Sequence, residues 1–153
     1  MKLRIEIEPN ATEEVVIRAP SINDEVMRVQ EAVNAALKGG GSIAVKKGDR
    51  ESYLKYDELL YFETDGDRTV VHTAADCFFC PHKLSELAAV LPHSFVRASK
   101  SCIINTAHIR SLSRSPTGVG TATFSDTEKT AFISRMYYKI VREVIAQTRL
   151  GRF

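Results

Sequence analysis

The sequence predicts a mainly β protein, α+β overall, and three observations carry that expectation. Short runs alternate apolar and polar residues with a period of two, as half-buried strands require. Turn residues separate those runs, as in Asp65-Gly66-Asp67, and Asp-Gly between alternating runs marks an antiparallel hairpin. Only three stretches keep the wider apolar spacing of an amphipathic helix.

The elements follow in order. Leu3, Ile5 and Ile7 alternate with Lys2, Arg4, Glu6 and Glu8, which predicts a strand. PNATEE is a turn and VVIRA a short second strand. A helix follows, with Ser21 as its N-cap supported by Asp24, and Ile22, Val26, Val29, Val33 and Ala36 as its apolar stripe. Gly39 should stop it, and Gly39-Gly40-Gly41 reads as a linker. SIAVKKGDRESYLKY is a hairpin turning at Lys47-Gly48-Asp49. LLYFETDGDRTVVHTAADCFFCPH supplies three more strands, and KLSELAAVLP a short helix closed by Pro92. SFVRA, CIIN and HIRSLSR are strands, and TATFSDTEKTAFIS is a hairpin around Asp126. The last helix should face Met136, Ile140, Val144 and Ile145 inward. The expected division is a small strand–strand–helix unit over residues 1–48 and a β-rich domain over 49–153.

With 153 residues and 44% hydrophobic content the chain can bury a core. No apolar run is long enough to span a bilayer, and MKLRIEIE is not a signal peptide. Three cysteines without a secretory context suit reduced thiols and a cytoplasmic location. The net charge of +2 hides an asymmetry: residues 51–91 sum to −5 and residues 92–153 to +7. A cationic end suits an anionic partner, although solvated terminal helices are often basic as well.

Catalytic signatures are missing. There is no nucleophile elbow, P-loop, dinucleotide fingerprint or H-E-x-x-H. Cys77 and Cys80, with His82 beyond, look like half a zinc site, but structural zinc needs four ligands. Residues three apart on a strand also point to opposite faces. They read as plain apolar cysteines, so no metal, cofactor, catalytic residue or small-molecule substrate is expected. The residues before 49 are too few for a doubly wound receiver domain.

One stretch stands apart. FVRASKSCIIN has apolar ends, while Arg97, Ser99, Lys100 and Ser101 interrupt them. A cationic, hydroxyl-rich connection between buried strands presents donors outward on a stiff base, where phosphate or a guanine edge could meet them. Read alone, the fragment slightly favours an ordinary polar turn.

This stretch resembles the signature of LytTR DNA-binding domains through Phe95, Arg97, Lys100, Ser101, Ile103, Ile104 and Asn105. Ser99 stands where many members carry histidine, and Lys100 where many carry arginine. The likeness extends to LLYFETDGDRTVVHT, HKLSELAAVLPHSFVR and ISRMYYKIVREVI. It implies an elongated fold of antiparallel sheets that binds double-stranded DNA through loops. Carried over by position, the contacts are Asp67 and Arg68 in one hairpin, Lys100, with Ser99, in the second loop, and Arg135 before the last helix. Arg97 and Ser101 would face the backbone or hold the loop. The implied function is a stand-alone transcriptional regulator, with a homodimer and a small multi-pass membrane protein acting as inhibitor among the partners to consider. The rivals are a β-rich protein-interaction module with a basic face, and an enzyme using Cys77, Cys80 or His82.

Overall fold

The computed structural model describes residues 1–37 and 41–149. The expected helix stop at Gly39, the linker residue Gly40 and the last four residues lie outside that range.

Helix α1 spans Asp24–Leu37. Strands β1 (Ser42–Lys47) and β2 (Arg50–Lys55) form the first hairpin, with Gly48 at φ 59° in its turn. Strands β3 (Tyr61–Asp65), β4 (Arg68–His72) and β5 (Cys77–Cys80) form a meander, and α2 (Leu84–Val90) follows. Strands β6 (Phe95–Ser99) and β7 (Cys102–Asn105) make the next hairpin. Strands β8 (Ile109–Arg114), β9 (Gly120–Phe124) and β10 (Thr130–Ile133) lead into helix α3 (Arg135–Thr148).

All described strand pairs are antiparallel, so short turns suffice to connect neighbours. Seven strands form one sheet in the order β2-β1-β5-β4-β3-β7-β6, and the last three form a second in the order β10-β9-β8. The period of two sends alternate residues of the large sheet to opposite cores. Phe62, Val71 and Ile103 face one core with Ile43, Val45, Leu59 and the α2 residues Leu84 and Leu87. Tyr61, Cys102 and Ile104 face the other, with Phe124, Ile133 and the α3 residues Tyr138 and Val141. The large sheet therefore lies between α2 on one side and the small sheet with α3 on the other.

Among the described residues, Asn105 is buried together with the polar Thr69 and Thr106. Its Nδ2 donates to the Leu59 carbonyl at 2.9 Å, and its Oδ1 accepts from the Ala107 amide at 3.1 Å. It stitches two connections that β-pairing leaves open.

Three expectations need correction. Residues 2–8 and VVIRA do not form strands, because alternation provides a face but no ladder partner, and neither segment pairs with any described strand. The α1 N-cap is Asn23, whose Oδ1 accepts from the Val26 amide at 2.9 Å, two residues beyond Ser21. The buried face of α3 is Tyr138, Val141 and Val144, while Met136 is 75% exposed and Ile140 48%. Gly120 decides this: a Cβ there would stand 2.4 Å from Tyr138 Cδ2, so the missing side chain is the seat of the tyrosine ring. The β1–β2 hairpin runs across the division expected at 48/49. β1 pairs with β5 as well as β2 and contributes Ile43 and Val45 to the core, so the large sheet starts at Ser42.

Candidate nucleic-acid interface

Strand register decides which connections share an end of the large sheet. β3 pairs with β4 through Asp65 and Arg68, leaving Gly66 and Asp67 as a two-residue turn. Gly66 takes φ 64°, the positive value that the first central position of a type II′ hairpin turn needs. β3 also pairs with β7, Glu63 opposite Cys102. That register sets the β6–β7 turn, Lys100 and Ser101, beside the end of β3, where the Thr64 amide donates to the Ser101 carbonyl at 3.0 Å. The turn carrying Asp67 and the turn carrying Lys100 therefore lie at the same end.

Arg135 joins them from the other layer. The Ser134 amide donates to the Ala98 carbonyl at 2.8 Å. This ties the start of α3 to β6 one residue before Ser99. Arg135 is the first residue of α3 and is exposed.

The individual side chains differ in how they are held. Lys100 is exposed at the turn. Arg97 is half-buried, and its Nη1 donates to the Lys100 carbonyl at 2.9 Å. Its guanidinium is thereby tied to the backbone of the turn. Ser99 Oγ accepts from the Ser101 amide at 3.2 Å and lies 3.3 Å from Ser101 Oγ, so the two hydroxyls close the turn on itself. A register shift between Arg97 and Ser99 bends β6 at this point. Arg68 is exposed, with its guanidinium 4.8 Å from the centre of the Phe79 ring. Asp67 is exposed in its turn.

One cation escaped the sequence reading. Arg114 ends β8, and its Nε donates to the Gly118 carbonyl at 3.3 Å while its guanidinium covers the Tyr138 ring at 4.8 Å. The Arg135 stem lies over Gly118 as well, close enough that a Cβ there would meet Cδ at 2.8 Å. The β8–β9 loop thus brings Arg114 beside Arg135. Gly118 in SPTGVG, at φ 90°, was the one local signal of a special turn. Arg149 of the cationic end is engaged internally, donating to the carbonyls of Ile109 and Thr106, each at 2.8 Å.

The cysteines do not assemble with these groups. On β5, Cys77 is exposed and Cys80 buried, as opposite faces require. Burial pushes the Cys80 thiol pKa up. His82 Nδ1 lies 3.3 Å from Glu86 Oε2. Among the described residues, no group of three or more His, Cys, Asp or Glu side chains could hold a metal ion.

The family model described as LytTr DNA-binding domain matches residues 49–146. The chain belongs to the LytTR DNA-binding domain family. Among solved structures, the LytTr domain of a putative methyl-accepting/DNA response regulator from Bacillus cereus superposes with a TM-score of 0.64. It is 20% identical and covers 71% of this chain and 99% of that one, so it attests the fold. Two relatives in Staphylococcus aureus, from strains N315 and MRSA252, are 31% and 30% identical over 145 residues. Each alignment covers 94% of this chain and 97% of the relative, so it takes in the N-terminal unit as well as the LytTR domain. Both are named uncharacterized HTH-type transcriptional regulators. In this LytTR chain strands separate the three described helices, so no two of them form a helix-turn-helix. Among the described residues no helix is long and apolar enough to cross a membrane.

Proposed function

We propose that this protein is a sequence-specific DNA-binding regulator of transcription, which reads DNA with loops at one end of a β-rich domain. The observation that carries the reading is the LytTR family match over residues 49–146. The names of the staphylococcal relatives support the regulatory part.

Each residue has a distinct task in this reading. Lys100 and Arg135 meet base edges, since a cation at a loop tip suits the acceptors O6 and N7 of guanine. Arg68 meets phosphate. Arg97 positions the Lys100 turn, and the hydroxyls of Ser99 and Ser101 close that turn or donate to phosphate. Asp67 tolerates the polyanion only where it accepts from a cytosine amino group. The work is binding, and no catalytic role is assigned to Cys77, Cys80 or His82. Functionally the chain divides into an N-terminal unit and the DNA-binding domain over 49–153, which also uses β1. The protein acts in the cytoplasm as a homodimer joined through its N-terminal unit, and a small multi-pass membrane protein restrains it.

Selection of bound sequences from a random duplex library, followed by titration across salt with competitor DNA, tests the reading. The expected result is an enriched sequence whose affinity falls steeply with salt and survives nonspecific competitor. Equal affinity for all duplexes, or none, would favour a protein-interaction module instead.

A further inference from the structure

The segment Lys2-Leu3-Arg4-Ile5-Glu6-Ile7-Glu8 alternates charged and apolar side chains without a break. No described strand pairs with it. Leu3, Ile5 and Ile7 are 91, 77 and 88% exposed. Its charged side chains share a side, as Arg4 Nη2 lies 2.9 Å from Glu6 Oε1. A segment patterned for a sheet is thus left without one.

We propose that this segment pairs antiparallel with the same segment of a second copy, about a two-fold axis through Ile5. The inference rests on the homodimer in the reading above and names its contact.

Charge complementarity selects both the occupant and the register. About Ile5, Lys2 stands opposite the partner's Glu8, and Arg4 opposite the partner's Glu6. Leu3 stands opposite the partner's Ile7, and Ile5 opposite its own counterpart. Every charge meets its opposite and every apolar residue an apolar one, and the two-fold repeats each pair. Directly opposed side chains share a face and interact, and like charges there destabilise. A slip of two residues one way sets Arg4 against the partner's Arg4. The same slip the other way sets Glu6 against the partner's Glu6. A slip of one residue sets charges against apolar side chains. Parallel pairing in register stacks like on like, and an offset parallel pairing is not symmetric and closes no dimer. A two-stranded ribbon is marginal alone. The α1 stripe of Val26, Val29 and Val33, half-buried in the chain, with exposed Ile22, can cover its apolar face.

The test is sedimentation equilibrium of the full chain across protein concentration, with Arg4→Glu, Glu6→Arg and the double exchange. By symmetry each single reversal turns two attractive pairs into repulsive ones, so the dimer dissociation constant should rise about tenfold or more. The double exchange should bring it back to within about threefold of wild type. Thermal unfolding at concentrations where every variant is monomeric should be unchanged, since both side chains are exposed. Single reversals that leave self-association unchanged, or a double exchange as weak as the singles, would overturn this register while leaving a homodimer in place. A wild-type chain that stays monomeric would overturn the register and the homodimer together.

Discussion

Arg97 and Lys100 are joined in the β6–β7 turn: the Arg97 guanidinium donates to the Lys100 carbonyl at 2.9 Å. The bond uses the backbone of Lys100 and leaves its ammonium free to point outward. Arg97 is therefore expected to act on DNA through Lys100. Arg97→Ala and Lys100→Ala should each cost about 1–3 kcal/mol at the specific site. The double variant should cost little more than Lys100→Ala alone, because both changes remove the same contact. Binding isotherms on one operator measure the cycle. Fully additive losses would mean that Arg97 touches DNA independently.

Asn105 is expected to matter for stability and not for DNA. Its amide serves the Leu59 carbonyl and the Ala107 amide, and it is 2% exposed. Asn105→Ala would leave the buried Leu59 carbonyl without this partner, at about 1–3 kcal/mol, and would uncap the part-buried Ala107 amide. Urea denaturation should show the loss, while operator affinity of the folded fraction stays at the wild-type value. A midpoint unchanged from wild type would show that water or a relaxed backbone replaces the side chain.

How far the chain could be read in advance depended on how local each signal was. The β3–β4 and β6–β7 turns were legible because alternation on both sides and the turn residues lie within a dozen positions. The face of α3 was not, because Met136-Ile140-Val144 and Tyr138-Val141-Val144 both fit a helical stripe. Only Gly120, on another strand, makes room for Tyr138 and decides between them. Residues 2–8 alternate as a strand would, yet they pair with no described strand, because alternation provides a face and not a ladder partner within the chain. The site divided the same way. Lys100 and Arg68 lie in readable hairpins, while Arg114 meets Arg135 only because the β8–β9 loop folds back on α3. The hydrogen bond from Arg97 to the Lys100 carbonyl was likewise not legible, because it depends on how the turn closes.

Alkaline pH should destabilise the fold through Cys102. Burial, with Glu63 adding to it, pushes this thiol from 9.0 to about 12. Between those values the folded chain keeps a proton that the unfolded chain releases, so stability falls as pH rises through that window. Tyr61 acts in the same direction, raised from 10.0 to about 12 chiefly by burial. The Cys102→Ala variant should lose less stability than wild type between about pH 8 and about pH 11. Urea midpoints across that range check it, and parallel slopes for the two proteins would refute it.

Arg68 separates phosphate contact from base reading. Its guanidinium rests over the Phe79 ring at 4.8 Å, beside a two-residue turn. A cation held against an aromatic face and still exposed can meet a phosphate without being extended into a groove. Arg68→Ala should therefore weaken specific and nonspecific duplexes by similar factors. It should also lower the slope of log affinity against log salt by about one unit, since about one counterion fewer is released. Phe79→Ala should act in the same direction but less, because it removes only the ring that holds the guanidinium, a contact of about 0.5–1 kcal/mol at an exposed site. Lys100→Ala should behave differently, lowering operator affinity far more than nonspecific affinity and so narrowing the ratio between them. Salt titrations of the three variants on operator and random duplex distinguish the roles. If Arg68→Ala narrows that ratio as Lys100→Ala does, Arg68 reads bases, and the β3–β4 turn enters a groove beside the β6–β7 turn.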